Sequence, residues 1–173
     1  MMRFLKRALL GGILTLNACS PALNWRELRV GPQASVKVLL PCKPDQASRS
    51  IMLAGQSVDL HMQGCEAADM LFAVSWVSLP EPARAQEAQA QWQAGMLSSM
   101  QARAVQTVPV MFKGATGPAV RVTASGVKPE GQPVQAQGVW VVRGNQVFHA
   151  AMYGEAFTAD AADAFFSGIE FQP

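Results

Sequence analysis

One stretch breaks the pattern of everything around it. From Pro82 to Ala104 the chain is rich in Ala, Gln and Met and has no proline after its first position. Proline is tolerated at the first turn of a helix, where its missing N–H would be unpaired anyway. Ala85, Ala88, Trp92, Met96 and Met100 recur at spacings of three and four, so they line one face of a helix. That face should lie on a sheet, because the flanking segments read as strands. Before the helix, residues 23–30 and 36–40 are parted by Gly31-Pro32, and residues 50–53, 58–62 and 71–79 by turns at Ala54-Gly55-Gln56 and 63–69. After it come strands at 108–112, 119–125, 134–142 and 147–153, with turn chemistry that suits antiparallel hairpins.

A second, shorter helix is signalled near the end. Thr158 is a plausible N-cap, Asp160 and Asp163 sit where the helix dipole favours anions, and Ala162, Phe165 and Phe166 supply an apolar side that stops at Gly168. No internal repeat or second composition zone divides the chain. The expected fold class is therefore α+β: one domain over 24–173, with a single antiparallel sheet covered by one long helix and one short C-terminal helix.

The first residues, MMRFLKRALLGGILTLNACS, carry a different message. Arg3, Lys6 and Arg7 precede an apolar run from Ala8 to Leu16, which is shorter than the ~20 residues a membrane-spanning helix needs. Leu16-Asn17-Ala18-Cys19 resembles the lipobox of bacterial lipoproteins, although Asn17 departs from the small or branched residue usual there. The resemblance implies a signal peptide over 1–18, acylation of Cys19 and a tether over 19–23. Ser20 after the lipidated cysteine implies outer-membrane sorting, facing the periplasm. The competing reading is plain secretory cleavage after the small-x-small run Ser20-Pro21-Ala22, which would remove Cys19.

Without that segment the charge balance changes. Three of the 14 Lys and Arg lie in it, leaving 11 against 12 Asp and Glu. A near-neutral domain lacks the basic face that nucleic acid requires. Cys42 and Cys65 are then the remaining thiols in an oxidising compartment, and they should pair as a disulfide. A C-x-x-C spacing is absent, and His61 alone beside two cysteines is too little for a structural zinc site.

The order of elements, ending in DAFFSGIEF, is similar to that of the PsbP-like α/β-sandwich proteins, whose members include bacterial lipoproteins. That resemblance implies an antiparallel sheet covered by helices and a role in binding or assembling other proteins. It implies no catalytic residue.

Residues with catalytic chemistry are few. His61 and His149 both sit within strand patterns; no G-x-S-x-G elbow, phosphate loop or dinucleotide fingerprint occurs in the domain. Ser98-Ser99 falls in mid-helix and Ser125-Gly126 at a strand end. Glu66 and Asp69 share a loop that could hold a cation, yet solvated turn acids are the plainer reading. No cofactor or metal is called for. Trp140 and Phe148 lie on the two arms of the Gly144-Asn145 hairpin, where cross-strand neighbours can meet. Exposed, they are a candidate binding patch; covered, they are packing, which is the favoured reading. The function expected is a noncatalytic binding or assembly module, held on the membrane by acyl chains and facing an envelope protein partner. The alternative is a periplasmic enzyme or small-ligand carrier with a cleft between the long helix and the sheet, using His149 or His61.

Overall fold

The computed structural model describes residues 22–115 and 119–172. Among these described residues, ten strands and two α-helices follow in the order β1 (Arg26–Val30), β2 (Val36–Leu40), β3 (Asp45–Leu53), β4 (Gln56–Ala67), β5 (Met70–Ser78), α1 (Ala85–Ser99), β6 (Arg103–Val110), β7 (Ala119–Val127), β8 (Pro133–Arg143), β9 (Gln146–Gly154), α2 (Ala159–Ser167) and β10 (Glu170–Phe171). Seven of them form one antiparallel sheet in the order β3-β4-β5-β9-β8-β7-β6. The others form a separate three-stranded sheet, β1-β2-β10.

Alternation along the central strand β9 explains the layering. Phe148, Ala150 and Met152 point into one core, shared with β2, α2 and Phe171. Val147 points into the other, shared with α1. Successive strand residues face opposite sides of a sheet, so a strand apolar at both parities must be covered twice. The seven-stranded sheet is accordingly sandwiched, with α1 on one face and the small sheet with α2 on the other.

This overturns the expected α+β architecture of one sheet covered by helices. Strands make up 54% and helices 20% of the described residues, so the fold is β-rich. The N-terminal strands leave the main sheet and build a second one, closed by β10, which the sequence pattern does not suggest. Sheet membership depends on which edges meet in space, and half-buried strands look alike whichever sheet they join.

Element boundaries differ from the expected ones for local reasons. β4 runs on to Ala67, through most of the turn expected at 63–69, because the connection needs only Ala68 and Asp69, both at positive φ (50° and 59°). Ala54 and Gly55 make the preceding turn in the same way, at 49° and 70°. Positive φ at both central residues matches the twist of paired strands. The long helix stops at Ser99 instead of reaching Ala104. The Val127 N–H donates to the Met100 carbonyl at 2.8 Å, tying the helix end to β7, and a Cβ at Gly126 would collide with that carbonyl oxygen. At the second helix the expected cap forms, with Thr158 Oγ1 accepting the Ala161 N–H at 3.3 Å. Glu170 pins the last strand between Lys37 at 2.7 Å and Lys113 at 2.6 Å. Hydrogen bonds from those two ammonium groups, Lys113 first, hold its carboxyl down at about 2.

Candidate functional site

Both histidines stack on tryptophans, on opposite faces of the main sheet. The β8–β9 register sets Trp140 opposite His149, with ring centroids 4.4 Å apart and nearly parallel at 15°. Trp92 of α1 closes over the imidazole at 5.2 Å. His149 is 6% exposed, and among the described residues its Nε2 has no hydrogen-bond partner, nor does Trp140 Nε1. Burial pushes the imidazole down to about 3, because the charged form would lose its hydration without gaining a counter-charge. Below pH 6.5 the unfolded chain takes up a proton at this residue and the folded chain does not, so folding stability falls as pH drops from 6.5 towards 3. We expect a loss of about 2 kcal/mol from this group between pH 7.5 and pH 5. Urea unfolding of the parent and His149→Phe at both pH values checks it, and equal pH dependence in the two proteins would refute it.

Trp140 and Phe148 do not form the candidate patch. They are 1% and 3% exposed, and the register opposes Phe148 to Val141, so the two rings lie on different faces. Phe148 meets Phe171 edge-on at 5.6 Å, while Trp140 packs under α1. Nor is the space between α1 and the sheet an open cleft at the helix face, where Ala85, Ala88 and Met96 are buried.

The remaining candidates are dispersed. Ser99 Oγ donates to the Met96 carbonyl and Ser125 Oγ to the Arg103 carbonyl, so both hydroxyls serve the backbone. Glu66 and Asp69 line a cavity of about 790 Å³ together with Glu155, Lys128 and Tyr153. Burial raises the Tyr153 phenol to about 12. Among the described residues, no group of three His, Cys, Asp or Glu is placed to hold a metal ion. Cys42 and Cys65 are joined as a disulfide, linking the segment after β2 to β4. Cys19 lies outside the described residues.

The second stack occupies a different setting. His61 of β4 pairs with Trp76 of β5, rings 5.4 Å apart and 19° from parallel, and both are part exposed. They sit on the face away from α1, at the margin of the core that α2 covers. Residues sharing that face follow from the period of two: Gln46, Ser48 and Ser50 on β3, Ser57, Asp59 and Gln63 on β4, and Ser78 on β5. Ser50 Oγ donates to Asp59 Oδ1 at 2.6 Å. Two surface depressions meet at the stacked pair, one lined by Gln46, Ser48 and Gln63, the other by Ser57, Asp59, Ser78 and Pro80. Sequence reasoning singles out His61 and passes over Trp76. The signal present is the alternation of Ser57, Asp59, His61 and Gln63 with Val58, Leu60 and Met62, which marks an open polar face.

No known family profile matches the chain, and no curated protein is similar to it. Its structure is similar to a crystallised protein of Bacteroides thetaiotaomicron VPI-5482, at 13% identity and a TM-score of 0.48, over 85% of this chain and 48% of that one. The chain thus spans about half the length of that protein.

Proposed function

We propose that the protein is a lipid-anchored binding module of the bacterial envelope, held at the outer membrane through Cys19 and working from the periplasmic side without catalysing a reaction. The observation that carries the binding role is the open face of β3 and the first half of β4, bordered by Trp76 and Ser78 at the end of β5. There an aromatic pair lies part exposed among hydroxyl and amide side chains, while the central strands β5, β8 and β9 of the same sheet are buried on both sides. The anchor is supported by Arg3, Lys6, Arg7 and the Leu16-Asn17-Ala18-Cys19 run, and the disulfide fits an oxidising compartment. No helix among the described residues is long and apolar enough to cross a membrane. Acyl chains, at about 0.8 kcal/mol per buried methylene, would hold the domain without one.

The test is the intact mass of the protein extracted from its own membranes. We expect a chain that begins at Cys19 and carries acyl groups, with two thiols released only by reductant. An unprocessed chain with free thiols would overturn the envelope assignment, and a start beyond Cys19 would overturn the anchor.

A further inference from the structure

We propose that the groove across β3, β4 and β5 binds an extended, uncharged glycan chain, with His61 and Trp76 as its stacking platform. The inference rests on the binding-module reading above and names its ligand class.

The shape of the groove favours a long ligand. The two depressions share His61 and Trp76 and extend along β4 in opposite directions, towards Gln63 on one side and Ser57 on the other. Six residue steps at about 3.4 Å each make a track of about 20 Å, longer than a single sugar ring. Gly31, Pro32 and Pro80 wall one end. A single pyranose would fill only part of this track, so an oligomer is the better fit.

The lining chemistry favours a sugar. A pyranose ring has an apolar C–H face and a rim of hydroxyls, and it is matched by a flat ring with a negative π-face and a ring of neutral hydrogen-bonding groups. Gln46, Ser48, Gln63, Ser57 and Ser78 supply such groups around the pair. Their amides and hydroxyls both donate and accept, as sugar hydroxyls do.

Charge disfavours the alternatives. Among the described residues, no Lys or Arg lines either depression, and Asp59 is the one carboxylate, already engaged by Ser50. A nucleic acid or an anionic lipid headgroup would find no cation there. Ala47, Met62, Val58, Pro32 and Pro80 also line the depressions, but hydroxyls and amides interrupt them, so a hydrophobic protein partner would find a broken apolar surface in place of a continuous set of anchors.

The experiment uses the full-length protein, purified from its membranes in a detergent without a sugar headgroup. Chitohexaose and cellohexaose are titrated separately, following tryptophan fluorescence and heat of binding, and whole cell-wall sacculi are used in a pull-down. We expect saturable binding of at least one hexasaccharide. We also expect affinity about tenfold weaker in His61→Ala, and a similar loss in Ser48→Lys, which crowds the groove from the exposed edge strand without touching either core. Preference for chitohexaose and sacculi would mark an N-acetylated wall glycan as the source, and preference for cellohexaose a neutral polysaccharide. Absence of binding to all three probes by a protein with unchanged thermal unfolding would overturn the glycan proposal, as would binding that both variants retain in full. Neither result touches the anchor, which the mass measurement decides separately.

Discussion

Phe165→Ala is expected to cost about 4 kcal/mol of folding stability, a large share of the ~5–15 kcal/mol that holds a typical domain folded. Phe165 is fully buried on α2, with Phe72 of the main sheet edge-on at 5.4 Å and Phe166 at 5.0 Å. Phe72 in turn meets Trp25 at 5.8 Å, so the ring joins the C-terminal helix, the central sheet and the N-terminal segment. Truncation removes the transfer energy of the ring and leaves a cavity whose walls are strands bonded on both sides, which cannot collapse to fill it. Urea unfolding should show a lower midpoint with an unchanged slope. A loss under about 1 kcal/mol would mean that α2 does not anchor the core it covers.

The disulfide is the second large contribution. Cys42 follows β2 of the small sheet and Cys65 lies on β4 of the main one, so the bond ties the two sheets across a sequence separation of 23. Closing a loop of that size limits the unfolded ensemble, and in the chain-entropy account it stabilises by about 3 kcal/mol. The pair Cys42→Ala and Cys65→Ala should lose that amount and melt about 10 °C lower. The loss should be uneven. β3 is an edge strand, mostly exposed and held to the rest through β4, so hydrogen exchange should accelerate first in the β3–β4 hairpin. Uniform acceleration across the main sheet would show that the bond acts only on the unfolded chain.

Much of the local structure is legible in the sequence because it depends on near neighbours. The long helix, the terminal helix with its Thr158 cap, most strands and the cysteine pair are all readable from spacing and composition. Expectation and structure part where distant segments decide. The end of α1 is set by β7, whose Val127 N–H donates to the Met100 carbonyl, and β6 starts where helical composition continues. The Trp140–Phe148 pairing fails by one residue of register, which in a strand with period two moves a side chain to the other face. The fold class fails for the same kind of reason: β1 and β2 carry no mark saying which sheet they will join.

The candidate groove divides along that line. Alternation of polar and apolar residues along β4 belongs to the sequence, since it reflects one solvated face. The encounter of His61 with Trp76 belongs to the tertiary structure, since it depends on the register of β4 against β5. Likewise, the chain's own residues determined the helices, the turns, the near-neutral charge and the thiols available to pair, all matters of local propensity and composition. Only the folded chain decided that there are two sheets, that β5, β8 and β9 of the larger one are covered on both faces while β3 and the first half of β4 leave one face open, and that one histidine is buried while the other is part exposed. Those outcomes depend on long-range packing, where the free energy of burial acts between segments that the sequence keeps far apart.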